Sequence, residues 1–266
     1  LETLPDAPPA TYDVPPLHLS LVRDFVAFDH RSSEVVLVAL THSLKGVSEV
    51  DYADALGRLN DMHSALTQPT ASTLHQRSEP PEQAPVPSIS EPDFLEMVAQ
   101  AKRHIEDGDV FQVVLSQQFD FEVNASPLEV YRVLRSVNPS PYMYLLECED
   151  ASGSAYQVVG SSPEALVTVQ RGRVYSHPIA GSRPRGATPE ADQEFAESLL
   201  ADRKEQAEHL MLVDLSRNDL SKVCAPGSVD VTEFMQVERF SHIMHLVSSV
   251  EGDLAQGKSA VDVFHA

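Results

Sequence analysis

A proline-rich stretch divides the chain and most constrains how it can fold. Between residues 67 and 92, prolines stand among Ser, Thr, Gln and Glu at Pro69, Pro80, Pro81, Pro85, Pro87 and Pro92. Each proline fixes φ and removes a backbone N–H, so helix interiors and central strands do not accommodate this spacing. The composition is typical of a linker or loop. We therefore predict two folded regions, residues 1–66 and 91–266, joined by the 67–92 stretch.

The charge balance excludes several kinds of partner. The 266 residues include 19 Lys and Arg against 40 Asp and Glu, a net charge of −21. Nucleic acid and anionic membranes both attract basic surfaces, so we expect no nucleic-acid partner and no membrane association. No apolar run reaches the roughly 18 residues that a membrane span needs. The two cysteines, Cys148 and Cys224, form no CxxC pattern, which favours a reducing, cytoplasmic location.

Apolar periodicity predicts helices and strands in irregular alternation. The predicted helices are 50–66, 92–107, 127–138 and 189–213. The predicted strands are 17–28, 34–40, 110–123, 142–148, 155–159, 165–170 and 173–177, with strand-like alternation over 234–250. A turn is expected at Arg171-Gly172. Because the alternation lacks the regular spacing of βαβ units, we predict an α+β fold.

Two glutamates three residues apart form the first candidate site. Glu205 and Glu208 would share one face of a helix. Paired carboxylates suit Mg²⁺, which prefers oxygen ligands and keeps some waters. The spacing alone favours an ordinary solvated helix face, although the apolar run that follows places this helix end near a core.

Three further runs carry candidate groups, and each has a simpler structural interpretation. The turn Gly160–Glu164 places Glu164 at a strand end, but it fits an ordinary turn as well. The run Pro178–Gly186 combines small residues with arginines, which suits a carboxylate or phosphate, or a flexible loop. In a strand, His242 and His245 would point to opposite faces, so they would make a poor metal-binding pair. One of them could act as a general acid or base, or be an ordinary hydrogen-bonded core histidine.

These runs occur together, in order, in a known family. The matching segments are 108–114, 138–143, 160–164, 178–186, 204–218 and 238–248. Together they resemble the large subunit, component I, of the anthranilate synthases among the chorismate-utilising enzymes. The match is dense from about residue 91 onwards.

The resemblance implies a fold and a reaction. The fold is an α/β sandwich with two large antiparallel sheets flanked by helices. The reaction converts chorismate and ammonia to anthranilate and pyruvate with Mg²⁺, and a glutamine amidotransferase partner supplies the ammonia. Residues 1–66 match the end of an N-terminal domain, and residues 91–266 match the first part of the chorismate-binding catalytic domain. The family's large subunit is considerably longer, so we expect an internal fragment that is inactive alone.

The resemblance also assigns roles to individual residues. Glu208 matches the Mg²⁺ ligand, and Glu205 lies beside it, through a metal-bound water or near the ring. Glu164 and His245 match the reaction centre, with His245 as the acid that helps the substrate hydroxyl to leave. Gly181 and Ser182 match the segment that contacts the chorismate carboxylate. The family usually has Thr where this chain has Ser182, which keeps the hydroxyl.

Two positions discriminate among relatives. At the position of Gln112, the similar isochorismate and salicylate synthases carry a Lys that activates water. Gln cannot act as that base, so the resemblance favours ammonia chemistry over water chemistry. Ala180 stands in the substrate-binding run where aminodeoxychorismate synthases typically carry Lys, which favours anthranilate synthase. Aminodeoxychorismate synthase component I remains the alternative enzyme, and a non-catalytic binding fragment remains the alternative class.

A further segment matches part of a feedback pocket for L-tryptophan. The matching residues are Asn138, Pro139, Tyr142 and Met143. The simpler interpretation is a proline-containing turn that starts a strand. The resemblance favours tryptophan inhibition.

Overall fold

The computed structural model describes residues 10–42, 46–69 and 84–266. It contains two compact units, one spanning Val14–Asn124 and the other formed mainly by Ala125–Ala266. Residues 70–83 of the predicted linker lie outside the described residues, as do residues 1–9.

The first unit opens with a β-hairpin followed by a helix. Strands β1 (Asp24–Asp29) and β2 (Glu34–Ala39) pair antiparallel, and helix α1 spans Glu49–Thr67. The hairpin and the helix are confirmed, although the first strand begins later than the predicted residue 17. Ser48 caps α1 in a reciprocal capping box with Asp51, which satisfies N–H groups that the first turn leaves free.

The rest of this unit contains helix α2 (Glu91–Glu106) between two very short strands, β3 (Val86–Pro87) and β4 (Phe119–Asp120). The helix is confirmed to within a residue at each end. The predicted strand over 110–123 is wrong, because only β4 pairs, with β3. Apolar alternation without a ladder partner does not make a strand, and Phe111 and Val114 are 90% and 86% exposed.

The second unit begins with helix α3 (Pro127–Val137) and the hairpin of β5 (Tyr142–Glu149) and β6 (Ala155–Ser162). The helix starts where the sequence predicts. Ser126 caps it, Pro127 occupies its first position, and Glu129 completes a capping box.

A five-stranded antiparallel sheet forms the centre of the second unit. Its strands are β7 (Thr168–Gln170), β8 (Arg173–Ser176), β9 (Ile179–Pro184), β10 (Asp230–Arg239) and β11 (Ile243–Asp253). The order is β10-β11-β8-β7, and β9 pairs with the other half of β11 beside β8. Arg171 and Gly172 form the predicted turn with φ of 53° and 78°, as a tight hairpin requires. The α+β prediction is confirmed.

Helices α4 (Pro189–Ala201) and α5 (Arg203–Val223) follow β9, and a short helix α6 (Ala260–Phe264) ends the chain. The single helix predicted over 189–213 is wrong, because Asp202 adopts extended backbone and starts a new helix. The alternation over 234–250 likewise resolves into two strands with a turn between them. No helix in the described ranges is both long and apolar enough to cross a membrane.

The core lies where α4 and α5 pack on one face of the sheet. Met244, Leu246 and Val250 alternate along β11 and are fully buried against these helices. A buried side chain of this size contributes ~1.5–3 kcal/mol. Because strand residues alternate between faces, His245 lies on the opposite side of β11.

Candidate active site

The first turn of α5 lies directly against β9. A Cβ atom at Gly181 would lie 3.2 Å from Glu205 Oε2 and 3.3 Å from Glu205 Cβ. Gly181 also has a φ of +78°, which disfavours any other residue. The structure thus brings a residue predicted to bind substrate next to one predicted near the metal. Glu205 and Glu208, one turn apart on α5, are both half-buried.

Arg183 and Asp202 fix the start of this helix. Asp202 Oδ1 accepts hydrogen bonds from the backbone N–H groups of Lys204 and Glu205, at 3.0 and 3.3 Å. Arg183 Nη2 donates to Asp202 Oδ2 at 2.8 Å, and Arg183 Nη1 lies 3.9 Å from Glu205 Oε1. The Arg183 guanidinium and these N–H groups hold the pKa of Asp202 below its ordinary value. Sequence reasoning missed this pair, although Asp202 three residues before Glu205 is a capping signal.

His245 approaches the same glycine from the sheet. Its Nδ1 lies 3.2 Å from the carbonyl oxygen of Gly181, and it stands opposite Ser182 in the β9–β11 ladder. A carbonyl only accepts, so Nδ1 carries the hydrogen in this contact. The Phe240 ring meets the imidazole edge-on, with centroids 5.6 Å apart. His245 is thereby held through Nδ1, and within the described part of the chain no hydrogen bond is made by its Nε2.

His242 does not share this environment. It lies in the turn before β11 and is exposed, and its Nε2 donates to the Val137 carbonyl at 3.1 Å. The prediction that His242 and His245 face opposite sides of one strand is wrong, since only His245 lies in the strand.

Glu164 lies in the loop just beyond β6, as predicted for a strand end. Its backbone is held by Ser162, whose Oγ donates to the Glu164 carbonyl at 3.0 Å. Partial loss of water around the carboxyl raises the pKa of Glu164, and the nearby charge of His177 opposes that rise. Within the described ranges, no hydrogen bond or ion pair joins Glu164 to His245 or Glu205.

The acidic pair on α5 fits part of a magnesium site. The described residues contain no cluster of three or more His, Cys, Asp or Glu side chains that could hold a metal. Mg²⁺ commonly takes one or two carboxylates and completes its octahedron with water and substrate oxygens. Two half-buried carboxylates one helical turn apart are compatible with such an open site.

Two other predicted residues have different surroundings. Ala180 is 8% exposed and pairs with Leu246 across the β9–β11 ladder. Gln112 belongs to the unit Val14–Asn124, where it is exposed and outside any helix or strand. Ala180 is therefore part of the local site, whereas the prediction for Gln112 stays a prediction.

The residues predicted for tryptophan binding lie at the junction of α3, β5 and β6. Asn138 caps the end of α3, and Ser161 Oγ donates to its carbonyl at 2.8 Å. Met143 stands opposite Ser161 and Tyr142 opposite Ser162 in the hairpin. Because Pro139 follows Asn138 directly, the four predicted residues share one end of this hairpin.

An ion cluster missed by sequence reasoning ties the loop after β9 to the turn that carries Phe240. Asp192 accepts from Arg185 Nε at 2.7 Å, from Arg239 Nε at 2.9 Å and from the Gly186 N–H at 2.9 Å. Arg185 Nη1 also donates to the Phe240 carbonyl at 2.6 Å. These donors hold the pKa of Asp192 well below its usual range. The cluster supports the ring that contacts His245.

Comparison with known proteins defines the class. The family model described as chorismate binding enzyme matches residues 1–266. The chain therefore belongs to the chorismate-binding enzymes. It is 52% identical over 272 residues to anthranilate synthase component 1 from Arthrobacter globiformis, which matches 100% of this chain and 51% of the relative. The chain spans about half the length of the curated relatives it matches.

Solved structures agree on the fold. The crystal structure of anthranilate synthase component I from Streptococcus pneumoniae superposes with a TM-score of 0.76 at 36% identity, covering 91% of this chain and 51% of that one. A putative isochorismate synthase from Bacillus anthracis gives a TM-score of 0.57 at 27% identity, covering 68% and 48%.

Proposed function

We propose that this chain forms part of an anthranilate synthase component I. The reaction consumes chorismate and ammonia and yields anthranilate, pyruvate and water. The observation that carries the proposal is the position of Gly181, which lies against Glu205 on one side and accepts from His245 on the other. Glu205 and His245, two of the residues assigned to the reaction, therefore both lie next to this glycine of β9.

The electrostatics of the proposed substrate set one requirement. Chorismate is a dianion, and the chain carries a net charge of −21 with Glu205 and Glu208 at the site. We assign these two side chains as the residues that hold Mg²⁺. When bound, Mg²⁺ supplies positive charge that offsets the repulsion between the substrate carboxylate and the glutamates.

The second requirement is a proton, because the substrate hydroxyl must leave as water. Ammonia adds to the ring, and the substrate hydroxyl departs as water when His245 Nε2 gives it a proton. The hydrogen bond from Nδ1 to Gly181 keeps the ring oriented for this transfer. Loss of pyruvate then makes the ring aromatic. Glu164, with its raised pKa, lies on the second unit and is assigned to the same reaction centre.

Two residue identities support the proposed reaction, Gln112 against water as the nucleophile and Ala180 against aminodeoxychorismate synthase. Gln112 has no basic nitrogen to activate water, and Ala180 lacks the amine that the related aminodeoxychorismate synthases carry there. Aminodeoxychorismate synthase component I remains the alternative, and the reaction product separates the two.

Partner and regulator follow from the same proposal. Ammonia would come from a glutamine amidotransferase subunit, and the reaction would be the first step of tryptophan biosynthesis. L-tryptophan is proposed to inhibit by binding at the α3–β5–β6 junction, where Asn138, Pro139, Tyr142 and Met143 lie together.

The proposal is tested with the protein expressed from its complete coding sequence. We expect Glu208→Gln and His245→Asn each to lower kcat by about 10²-fold or more with chorismate, Mg²⁺ and ammonium. The matched controls are Glu194→Gln, an exposed glutamate on α4, and His242→Asn in the turn before β11. These should retain activity. Equal activity of His245→Asn and His242→Asn would contradict the assigned acid.

A further inference from the structure

The contact between α5 and β11 contains a polar pair inside the core. His209 and Ser248 are both fully buried, and His209 Nε2 lies 2.7 Å from Ser248 Oγ. Met244, Leu246 and Val250 surround this stretch of β11 and are equally buried. Burying a polar group without a hydrogen bond is costly, and the contact between Nε2 and Ser248 offsets part of that cost.

A third group takes part in this contact. The backbone N–H of Met235 donates to Ser248 Oγ at 2.9 Å, and the same oxygen lies 2.7 Å from His209 Nε2. Met235 lies where the β10–β11 register shifts and has a φ of +49°, an uncommon value for a side chain of this kind. The strained backbone of Met235 is therefore part of the hydrogen-bonded contact between Ser248 and His209.

The other ring nitrogen faces β9. This nitrogen, Nδ1, is buried, and among the described residues no group meets hydrogen-bond geometry with it. The Ala180 backbone is nevertheless close enough to oppose the lowering of the His209 pKa that burial causes. His209 therefore lies between β11 and Ala180, the residue that precedes Gly181 on β9.

This pair connects the parts of the candidate active site. His209 directly follows Glu208 on α5 and lies one turn after Glu205, so the three side chains leave the same side of the helix. Ser248 lies three residues after His245 on β11. Among the residues that the structure describes, this hydrogen bond is the one that joins α5, which carries the glutamates, to β11, which carries His245. The apolar contacts around it are not directional.

We propose that His209 is a positioning residue whose hydrogen bond with Ser248 fixes α5 along β11 and so holds Glu205 against Gly181 and sets the position of Glu208. The inference rests on the proposed function, because it takes these glutamates as the metal-binding residues. A shift of about 1 Å in groups that orient a reaction costs about 10²-fold in rate.

The test measures Mg²⁺ binding by calorimetry, kcat at saturating Mg²⁺ and thermal unfolding, all on the protein from its complete coding sequence. We expect His209→Leu and Ser248→Ala each to weaken Mg²⁺ binding and lower kcat by about tenfold or more. His209→Gln keeps a side-chain amide, which can donate or accept, near the position of Nε2 and should recover most of both. Ser248→Ala removes one hydroxyl, so it remains informative if His209→Leu does not fold.

Val213→Ala is the matched control for lost stability. Val213 lies one turn further along α5, is 3% exposed and belongs to the neighbouring apolar cluster. It should lower the unfolding midpoint without weakening Mg²⁺ binding. Normal Mg²⁺ affinity and kcat in folded Ser248→Ala would overturn the inference, as would equal losses in Val213→Ala. If Glu208→Gln leaves Mg²⁺ binding intact, the proposed function fails instead.

Discussion

At the residue scale, the loop after β9 depends on a close approach of two backbones. A Cβ atom at Gly186 would lie 2.2 Å from the backbone nitrogen of Asp192 and 2.6 Å from the carbonyl carbon of Ala191. Backbone atoms of a capped helix do not move aside as the end of a flexible side chain does. Gly186 therefore lets the loop reach α4 and lets Asp192 hold both Arg185 and Arg239.

We expect Gly186→Ala to lower the free energy of unfolding by ~1–3 kcal/mol, as overpacking of a filled site does. Gly57→Ala is the matched control, because Gly57 lies inside α1 with no atom within 4 Å of its Cβ position. It should raise stability by ~0.5–1 kcal/mol through helix propensity. Urea denaturation measures the free energy of unfolding of both variants. Equal changes in Gly186→Ala and Gly57→Ala would contradict the close approach at Gly186.

Residue-level reasoning from sequence identified Glu205, Gly181 and His245, and the structure places them together. Sequence reasoning did not identify Arg183, Asp192 or His209, because their roles depend on partners such as Asp202, Arg239 and Ser248 that come from other elements. Side-chain pairing across elements is set by tertiary packing, which local spacing does not encode.

At the element scale, the site depends on where α5 begins. The run through residues 189–213 has the composition of one helix, yet Asp202 separates two. Its carboxylate caps α5 and pairs with Arg183 on β9, so the cap also fixes the helix start against the strand. Because α5 begins anew after Asp202, its first turn, which carries Glu205, lies next to Gly181.

We expect Asp202→Ala to lower the unfolding midpoint and weaken Mg²⁺ binding, because the first turn of α5 loses its cap. Asp202→Asn keeps an acceptor for the N–H groups and should retain most of both. Since the folded-state pKa of Asp202 is lowered, its contribution is present above the unfolded-state pKa and is lost as pH falls through the folded one. Calorimetry and thermal melts over acid pH measure this. Identical behaviour of the Ala and Asn variants would contradict the capping role.

Element prediction succeeded where the signal is local. Ser126-Pro127 starts α3 and Arg171-Gly172 makes a tight turn because caps and positive φ values are properties of a few neighbouring residues. It failed over 110–123, because a strand also needs a partner, and the described ladder there is limited to Phe119–Asp120 with Val86–Pro87.

At the scale of the whole molecule, the fold and the length of the chain bear on the proposed activity. The chain, which contains a five-stranded antiparallel sheet, superposes on anthranilate synthase component I from Streptococcus pneumoniae with a TM-score of 0.76. The chain spans about half the length of its curated relatives, so the proposed activity concerns the protein made from the complete coding sequence. The proposal assigns Mg²⁺ to Glu205 and Glu208, so we expect a chelator to remove the proposed activity.

The most direct test identifies the product. The protein from its complete coding sequence is incubated with chorismate, Mg²⁺ and excess ammonium, and the products are resolved by fluorescence and mass spectrometry. The account predicts anthranilate and pyruvate in equal amounts, abolished by chelation of Mg²⁺. An amino-substituted product that keeps the enolpyruvyl group, or unchanged chorismate, would contradict it.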